Sequence, residues 1–547
     1  MIINIDIEEK SAGSKLLLKN LSLTLQADQK IAIIGRNGVG KTTLLGLING
    51  EDEEYVGSVW RKKGLVIATS RQEHSHLEDI SVVDYILSEL PDYISCKSII
   101  DAYPSIANPS QEQLEIYSDA LDRFMQLDYF RGEDRVMQAL SRYQIDESMA
   151  KSSINNLSGG QKRFVELVKI AESNVDLALI DEPTNHMDYV AKAEFITWLG
   201  SAKGAVVLVS HDRDVLATVD TIVEIKDKKA IVFTGNYDAY LRQNSLATVA
   251  GMNNYEVQLS TMDKLKKQLQ EANRKKAGSS KTPNPFIPMA RRFQRQIDDL
   301  QKVMIKPSFW IDQQSVEGMS KKVTDSYDKY KTKNISITTD KSEPGFMSLL
   351  TVHDLSIGYK APLFDSVSFS LNSGDRAEIR GRNGAGKSSL IKLILDTNNH
   401  KDIKLELFKG YIEPENALRI GYYEQEIDSQ LLGTTLSRAI EAVYIENNIP
   451  VNQEKIMQIA SRYLFDPRSD LELKLSQLSG GQKARFQIIK MLAPEPNLLI
   501  LDEPTNHLDL PSIEELENAL IGYSGAILYV SHDNYFRDKL GGSVINI

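Results

Sequence analysis

The sequence predicts an α/β protein in which two copies of one domain, each with a mixed sheet and a helical subdomain, are joined by a long α-helical hairpin. An octet Asp-Glu-Pro-Thr-Asn-His-(Met/Leu)-Asp occurs at residues 181–188 and again at 502–509, 321 positions later. A glycine-rich loop precedes each octet, at residues 35–42 and 381–388. A length of 547 residues is also too great for one hydrophobic core. The predicted domains are residues 1–244, 245–345 and 346–547.

Each glycine-rich loop follows an apolar strand and precedes a helix with apolar periodicity, which is the setting of a phosphate-binding P-loop. Its glycines let backbone N–H groups wrap the phosphates, its Lys reaches the terminal phosphates, and its Thr or Ser hydroxyl binds Mg²⁺. Two loops in this setting predict two nucleotide sites. The predicted nucleotide-binding residues are Gly35, Asn37, Gly38, Gly40, Lys41, Thr42 and Thr43 in the first loop, and Gly381, Asn383, Gly384, Gly386, Lys387, Ser388 and Ser389 in the second.

A second anion-binding motif, Leu-Ser-Gly-Gly-Gln, occurs at residues 157–161 and 478–482. It places Ser and Gly amides at the start of a helix, where the helix dipole favours negative charge. The distance from its Ser to the Glu of the octet is 24 residues in both halves, and the distance from that Glu to a later His is 29 in both. The matched spacing predicts nucleotide contacts by Ser158, Gly160, Ser479 and Gly481.

Acidic and basic side chains at the ends of apolar strands predict the catalytic groups. The Asp of each octet ends a strand and is expected to hold Mg²⁺ through water, and the following Glu is placed to orient or deprotonate the attacking water. The strand-end His residues are expected to contact the γ-phosphate. The predicted catalytic residues are Glu182, Glu503, His211 and His532. The predicted Mg²⁺ ligands are Thr42, Gln72, Asp181, Ser388, Gln425 and Asp502, and both glutamines are also predicted to bind nucleotide.

This set of motifs resembles the ABC ATPases over roughly 450 residues, and the Asn-His-(Met/Leu)-Asp continuation with tandem cassettes and a charged linker resembles the ABC-F family. That resemblance implies an ATP- and Mg²⁺-dependent ATPase of the cytoplasm that binds the ribosome near its E site. Its partners would be large-subunit rRNA, tRNA and ribosomal proteins, and its role would be translation regulation or antibiotic resistance. It also implies a monomer whose cassettes close on each other, with each P-loop facing the Leu-Ser-Gly-Gly-Gln motif of the other half.

The two halves differ in three respects. The first has 32 more residues between its Gln and its Leu-Ser-Gly-Gly-Gln motif, which predicts a helical insertion at about 94–132. The insertion is acidic, which argues against an RNA-binding arm and leaves a contact with a basic ribosomal protein and an enlarged helical subdomain as the alternatives. Tyr359 lies 28 residues before Lys387, where ABC ATPases place an aromatic ring on adenine, whereas Gly13 holds the matching position before Lys41. The strand before the second P-loop also carries two charged residues, Glu378 and Arg380.

The linker is the basic part of an acidic chain. The net charge is −11, but residues 261–306 carry twelve basic and four acidic side chains, a local charge of +8 that suggests contact with a polyanion. We predict helices at 246–276 and 289–305, and a proline-rich tip at 277–288 that cannot be helical. A solvated spacer is the simpler alternative. The predicted RNA-contacting residues are Lys275, Lys276, Lys281, Phe286, Arg291, Arg292 and Arg295.

Other classes of protein fit the sequence less well. The motor subunit of a drug efflux transporter needs a separate membrane partner, and no apolar stretch here approaches the roughly 20 residues that span a bilayer. DNA-repair ATPases of this kind carry zinc cysteines or very long coiled coils, but this sequence has the single cysteine Cys96. A non-catalytic scaffold is disfavoured by complete sets of Lys, Asp, Glu and His in both halves.

Overall fold

The computed structural model describes the chain except for residues 14, 71–79, 107, 174, 186, 279–283, 305–347, 400–404, 425–426, 429 and 507. It divides into two compact units, one made of Met1–Tyr237 with Asn334–Ile547 and the other of Asp238–Lys333. The first unit contains both repeats of the sequence. We call residues 1–237 the first cassette and residues 348–547 the second cassette.

The first cassette combines a mainly parallel sheet with an antiparallel one. Its strands are β1 Ile3–Ala12, β2 Lys15–Leu25, β3 Lys30–Gly35, β4 Val56–Arg61, β5 Ile67–Thr69, β6 Leu177–Asp181, β7 Ala205–Val209, β8 Thr221–Lys226 and β9 Lys229–Thr234. They form sheets in the orders β5-β6-β7-β3-β8-β9 and β2-β1-β4. Its helices are Lys41–Asn49, Val82–Ser88, Tyr93–Ala102, Gln111–Gln126, Gly132–Arg142, Glu147–Ala150, Gly159–Glu172, Tyr189–Ser201 and Arg213–Leu216.

The second cassette repeats this architecture. Its strands are β10 Ser348–Gly358, β11 Val367–Asn372, β12 Arg376–Arg380, β13 Glu406–Pro414, β14 Ile420–Tyr423, β15 Leu498–Asp502, β16 Ala526–Val530 and β17 Ser543–Asn546. They form sheets in the orders β14-β15-β16-β12-β17 and β11-β10-β13. Its helices are Lys387–Asn399, Leu436–Glu446, Gln453–Arg462, Gly480–Leu492, Leu510–Ile521 and Asn534–Leu540.

The strand order brings the repeated motifs of each cassette to one sheet edge. In the first cassette the neighbours β6, β7 and β3 are parallel and almost wholly buried, which is why they read as continuous apolar runs. The carboxyl ends of parallel strands lie at the same edge, where open α/β sheets bind ligands. The P-loop, the octet and the strand-end His therefore converge there, and β15, β16 and β12 do the same in the second cassette.

The described residues of the first cassette between about 94 and 132 are mostly helical. Helices Tyr93–Ala102 and Gln111–Gln126 are held together by aromatic side chains. The rings of Tyr93, Phe124 and Tyr129 lie 5.3–5.5 Å apart, centroid to centroid, and Tyr103 stacks on Tyr117 at 4.0 Å. Phe124 and Tyr129 are buried and the other rings are half-buried, so this aromatic cluster gives the insertion a small core of its own.

The second unit contains two long helices, Tyr237–Ala277 of 41 residues and Phe286–Val303 of 18. At 1.5 Å per residue the first helix is about 60 Å long. It begins nine residues earlier than the predicted helix 246–276. The second begins inside the predicted tip, since Pro288 lies in its first turn, where a missing N–H costs no helical hydrogen bond. Asn284 links the two helices by donating from Nδ2 to the Lys276 carbonyl at 2.9 Å. Across the described residues, no helix is both long and apolar enough to cross a bilayer.

Candidate nucleotide-binding sites

The first P-loop holds its lysine among backbone carbonyls and a histidine. Lys41 Nζ lies 2.8 Å from the Gly35 carbonyl oxygen, 3.2 Å from Asn37 Oδ1 and 2.8 Å from His211 Nε2. Gly35 has a φ of +152°, and a Cβ there would lie 2.8 Å from the Ile225 carbonyl oxygen. Glycine is therefore required at this position because the loop passes so close to β8.

The hydroxyl that follows each P-loop lysine meets the octet aspartate. Thr42 Oγ1 donates to Asp181 Oδ2 at 2.9 Å, and Ser388 makes the matching hydrogen bond with Asp502. No group of three or more His, Cys, Asp or Glu side chains suited to a metal occurs among the residues described. Mg²⁺ usually binds one or two protein oxygens and takes its other ligands from phosphate and water. A hydroxyl beside a carboxylate fits that preference.

Each octet glutamate lies beside the strand-end histidine of its own cassette. Glu182 Oε1 is 3.2 Å from His211 Nε2, and Glu503 Oε1 is 3.4 Å from His532 Nε2. Both glutamates have a φ of +48°, a left-handed backbone that is costly for a residue with a Cβ. Each is held there by its backbone N–H, which donates to the last residue of the neighbouring strand, Val209 or Val530. The same strained turn in both halves aims the two carboxylates alike.

The two glutamates differ in their electrostatic surroundings. Burial raises the pKa of Glu182 above its usual value, and the nearby Lys41 offsets only part of that rise. Burial would also raise the pKa of Glu503, but its contacts with His532 and Asn506 outweigh burial and hold that pKa below its usual value. Burial and the charge of Lys41 keep the pKa of His211 far below its usual value, so His211 is neutral.

This difference predicts that the two sites respond differently to pH. A general base acts as the carboxylate, so hydrolysis at the first site should increase at higher pH than hydrolysis at the second. The measurement is the pH dependence of kcat for Glu503→Gln, which leaves the first site intact, and for Glu182→Gln, which leaves the second. Two superimposable acid limbs would contradict the assignment of Glu182 and Glu503 to separate sites of unequal pKa.

The Leu-Ser-Gly-Gly-Gln motifs form helix N-termini that face the opposite cassette. Ser158 and Ser479 each cap a helix and take part in a capping box with the Gln three residues later. Ser158 and Gly160 line a cavity of about 320 Å³ together with Asn383 and Gly384 of the second P-loop. On the other side, a Cβ on Gly480 would lie 2.3 Å from Asn37 Nδ2 of the first P-loop. The structure therefore brings each P-loop against the motif of the other half.

A pair of aspartates that the sequence analysis did not single out joins the two halves. Asp509 Oδ2 accepts a hydrogen bond from the Asn37 backbone N–H at 2.9 Å, and Asp188 Oδ2 accepts one from the Asn383 N–H at 3.1 Å. Each aspartate also caps the helix that follows its octet. The sequence did offer a signal for these two residues, because each is the last residue of its octet. Each P-loop is therefore hydrogen-bonded to the octet of the other half.

The interface between the cassettes also contains a buried ion pair. Arg213 Nη2 donates to Glu517 Oε1 at 2.7 Å, with both side chains almost fully buried. Lys539 Nζ lies 3.1 Å from the other oxygen of Glu517, and the guanidinium of Arg213 lies 5.5 Å from the ring centroid of Tyr535. Arg213 belongs to the first cassette and the other three to the second. The sequence carried no signal for this pairing, because its partners are about 300 residues apart.

Some predicted site residues are not among the contacts described above. Gln72, Gln425 and Lys281 lie outside the described residues. Thr43 and Ser389 are half-buried in the helices that follow the P-loops. The side chain of Tyr359 is 54% exposed just after β10, and a Cβ at Gly13 would meet nothing within 4 Å. The first cassette therefore has open space where the second has a ring.

Replacing Tyr359 with Ala should weaken nucleotide binding at the second site by roughly 1–3 kcal/mol, the scale of one base stacked on an aromatic ring. The measurement is nucleotide affinity in variants whose other site is disabled by substitution of Lys41 or Lys387. Phe130→Ala removes an exposed ring of the helical insertion and serves as the control. An affinity loss confined to the first site would contradict the stacking role.

The fold and the two composite sites define a class of protein, and comparison with known proteins specifies it. A family model described as "ABC transporter" matches residues 18–185 and 364–506. The chain is 31% identical to the putative ATP-binding protein YdiF of Bacillus subtilis, covering 100% of this chain and 80% of that protein. It is 27% identical to ABC transporter F family member 2 of Arabidopsis thaliana, covering 98% and 75%. The chain belongs to the ABC family and is an ABC-F type ATPase, which binds and hydrolyses ATP.

A solved structure supports the fold independently. The structure described as the archaeal ribosome recycling factor aABCE1, in complex with the ribosomal stalk protein aP1, is similar to this chain with a TM-score of 0.55. The similarity covers 96% of this chain and 85% of that one at 14% identity. At that identity it bears on architecture alone. The predicted fold class, two ABC cassettes with a long helical insert between them, is confirmed.

Proposed function

We propose that this protein is a cytoplasmic, ATP-switched factor that binds the ribosome near its E site. ATP closes the cassettes around two nucleotides, the closed form fits the ribosome, and hydrolysis releases it. The energy that ATP contributes is the difference between the affinities of the closed and open forms for the ribosome. The observation that carries the proposal is the exposed basic surface of the helical hairpin in an otherwise acidic chain.

The proposed roles at the two sites follow from their geometry. Glu182 and Glu503 activate the attacking water, and His211 and His532 contact the γ-phosphate. A bound Mg²⁺ would supply positive charge that stabilises the phosphates of the nucleotide. Thr42 with Asp181 would hold it at the first site, and Ser388 with Asp502 at the second. The P-loop of one half and the Leu-Ser-Gly-Gly-Gln helix of the other supply N–H groups to each nucleotide.

The basic hairpin surface consists of side chains that point into solvent, namely Lys275, Lys276, Arg291, Arg292 and Arg295. Lys275 pairs with Glu271 at 2.7 Å, but both of these side chains are more than half exposed, so the pair is weak and Lys275 stays accessible. Buried residues of the two helices include Ala272, Ala290 and Ile297. The cations on the outside of these helices are therefore accessible to RNA phosphates, which Lys and Arg side chains bind with release of counterions.

The names of related proteins also support the proposed role at the ribosome. Two solved structures similar to this chain are described by their ribosomal context, one as a ribosome recycling factor and one as ribosome-bound ABCE1. Curated relatives matched over nearly the whole chain include members named as ABC transporter F family. The motor of a drug efflux transporter remains the alternative, and recovery of the protein with membranes rather than with ribosomes would favour it.

Replacing Lys275, Lys276, Arg291 and Arg292 with Gln should lower the affinity for ribosomes and flatten its dependence on salt. A variant with fewer phosphate contacts releases fewer counterions when it binds. The slope of log affinity against log salt should therefore become less negative by about 3 if all four side chains contact RNA. The measurement is co-sedimentation with ribosomes over a salt series. ATP turnover without ribosomes should be retained, because these residues lie outside both nucleotide sites.

A matched control carries the same charge change on the first cassette. Lys62, Lys63, Lys203 and Lys229 are exposed, so replacing them with Gln removes four charges without touching the hairpin. This control should bind ribosomes with the parental salt slope. If the hairpin variant and the parent have equal salt slopes, the hairpin is only a spacer between the cassettes. If the hairpin variant and the control lose the same ribosome affinity, the effect of charge is nonspecific.

The hairpin tip can distinguish a general translation factor from a resistance protein. Phe286 begins the second linker helix, and its backbone N–H donates to Asn284 Oδ1 at 3.0 Å. Substitutions at Pro285, Phe286 and Ile287 should spare ribosome binding and alter its consequence. In a susceptible host, a resistance protein would protect against peptidyl-transferase drugs and lose that protection on substitution. A general factor would give no protection in its wild-type form.

A further inference from the structure

Lys192 lies at the interface of the cassettes and contacts the backbone of His532, the strand-end histidine of the second cassette, which we call its switch histidine. It is a buried residue of helix Tyr189–Ser201, which follows the first octet. Its Nζ lies 2.7 Å from Asp214 Oδ2 and 3.0 Å from Asp212 Oδ2, both in the first cassette. It also donates to the main-chain carbonyl of His532, in the second cassette, at 2.5 Å.

The amino group of Lys192 is a cation in this setting. Burial alone would lower the pKa of Lys192, but the carboxylates of Asp212 and Asp214 raise it above its ordinary value. A charged donor makes a stronger hydrogen bond to a carbonyl than a neutral one. The carbonyl of His532 is therefore held firmly, and the residue whose ring faces Glu503 has its backbone fixed by the first cassette.

A chain of polar contacts continues from Asp214 into the second cassette. Asn534 Nδ2 donates to Asp214 Oδ2 at 2.6 Å, and Asn534 Oδ1 accepts from Arg537. Arg537 Nη1 is 3.2 Å from Glu378 Oε1. Glu378 in turn accepts two hydrogen bonds from Arg380, at 2.7 and 2.9 Å. Since Arg380 directly precedes the second P-loop, both the switch histidine and the P-loop strand of this site are joined to Asp214.

These contacts account for the charged residues of the strand before the second P-loop. They also show that the network is asymmetric, because the matching positions of the two cassettes carry different residues. In the register that pairs the P-loops, Glu378 and Arg380 of β12 correspond to Ala32 and Ile34 of the apolar strand β3. In the register that pairs Asp188 with Asp509, Lys192 corresponds to the buried Ile513. An aliphatic side chain cannot donate to the carbonyl of His211, so this interaction serves the second site alone.

We propose that Lys192 is a positioning residue that couples contact between the cassettes to the placement of His532, so that ATP hydrolysis at the second site depends on it and hydrolysis at the first site does not. The proposal rests on the roles assigned to Glu182 and Glu503. It makes the second site the one that senses whether the cassettes are joined.

The test measures each site separately. Lys192→Met is combined with Glu182→Gln, so that only the second site turns over, and with Glu503→Gln, so that only the first does. In the first combination kcat should fall roughly ten-fold or more with little change in KM for ATP, the size of effect expected for one hydrogen bond to a charged group. In the second combination kcat should change by less than about two-fold, within the scatter of such variants.

Three further variants decide the outcome. Lys192→Arg keeps a cation and should restore most of the second-site kcat, whereas Ile513→Met, the matched control, should leave both sites unchanged. Asn534→Ala interrupts the chain of contacts but keeps Lys192, so Asp212 and Asp214 still have their cation. It should lower second-site kcat selectively, which keeps the test decisive if Lys192→Met is poorly folded. Equal kcat losses at both sites, or normal second-site kcat in Asn534→Ala, would overturn the proposal.

The single glutamine variants separate this outcome from a failure of the underlying roles. Each should retain turnover from its remaining site before Lys192 is changed. If either Glu182→Gln or Glu503→Gln alone has the full parental rate, the catalytic assignment fails. If both behave as assigned and Lys192→Met is silent at the second site, only the positioning role fails.

Discussion

Changing both Glu182 and Glu503 to Gln should lower ATP turnover by about 100-fold or more, while ATP binding is retained. Removal of a general base typically costs 10²–10⁴-fold, and here both water-activating positions are lost together. The amide is nearly isosteric with the carboxylate, so the strained turns that hold the two side chains, each with a φ of +48°, should persist. Turnover is measured as phosphate release and ATP affinity by direct titration.

The consequence of this double variant in a cell extract tests the proposed switch. A protein that closes on ATP and cannot hydrolyse it should remain in the form that binds ribosomes, so it should accumulate there and inhibit translation. Ser158→Ala or Ser479→Ala in the parental chain provides a contrast, because loss of a helix cap beside the nucleotide should weaken closure instead. Parental turnover in the double glutamine variant would show that the assigned residues are wrong.

Replacing Arg213 with Met should shift the cassettes toward separation by about 3 kcal/mol, because breaking a buried pair leaves one charge without its partner. The charge left behind is Glu517, which is fully buried and lies 3.1 Å from Lys539 of its own cassette. A shift of this size changes the ratio of joined to separated cassettes by roughly 100-fold. The measurement is the distance between fluorophores on introduced cysteines, one in each cassette, which is practical because the native Cys96 is buried.

Two comparisons make the result interpretable. Arg213→Met with Glu517→Met replaces the pair by apolar side chains and should recover most of the loss, since an apolar pair of similar volume is often as stable as a buried ion pair. Lys97→Met breaks an exposed pair with Asp101 and should change the separation ratio very little. If Arg213→Met leaves that ratio at its parental value, the ion pair does not hold the cassettes together.

Much of this molecule could be predicted from local sequence. The P-loops, the octets and their strands were recognisable because glycine, apolar runs and strand-end carboxylates act through short-range backbone geometry. The same reasoning predicted the helical insertion and the two linker helices, although it misplaced their ends. Pro288 was read as a helix breaker, yet the structure has it in the first turn of Phe286–Val303, where proline is tolerated.

The sequence by itself determined which residues are able to handle a nucleotide, whereas only the tertiary structure decided which of them share a site. The crossed contacts of Asp188 and Asp509, the buried pair of Arg213 with Glu517, and the contact of Lys192 with His532 each join residues about 200 or more positions apart. The repeated octet marks Asp188 and Asp509 as a matched pair, but no local periodicity or spacing shows which residues these side chains, Arg213 or Lys192 contact. They arise because burial at the interface excludes water, so that a charged or polar group there needs a partner, and that partner can lie far away in the sequence.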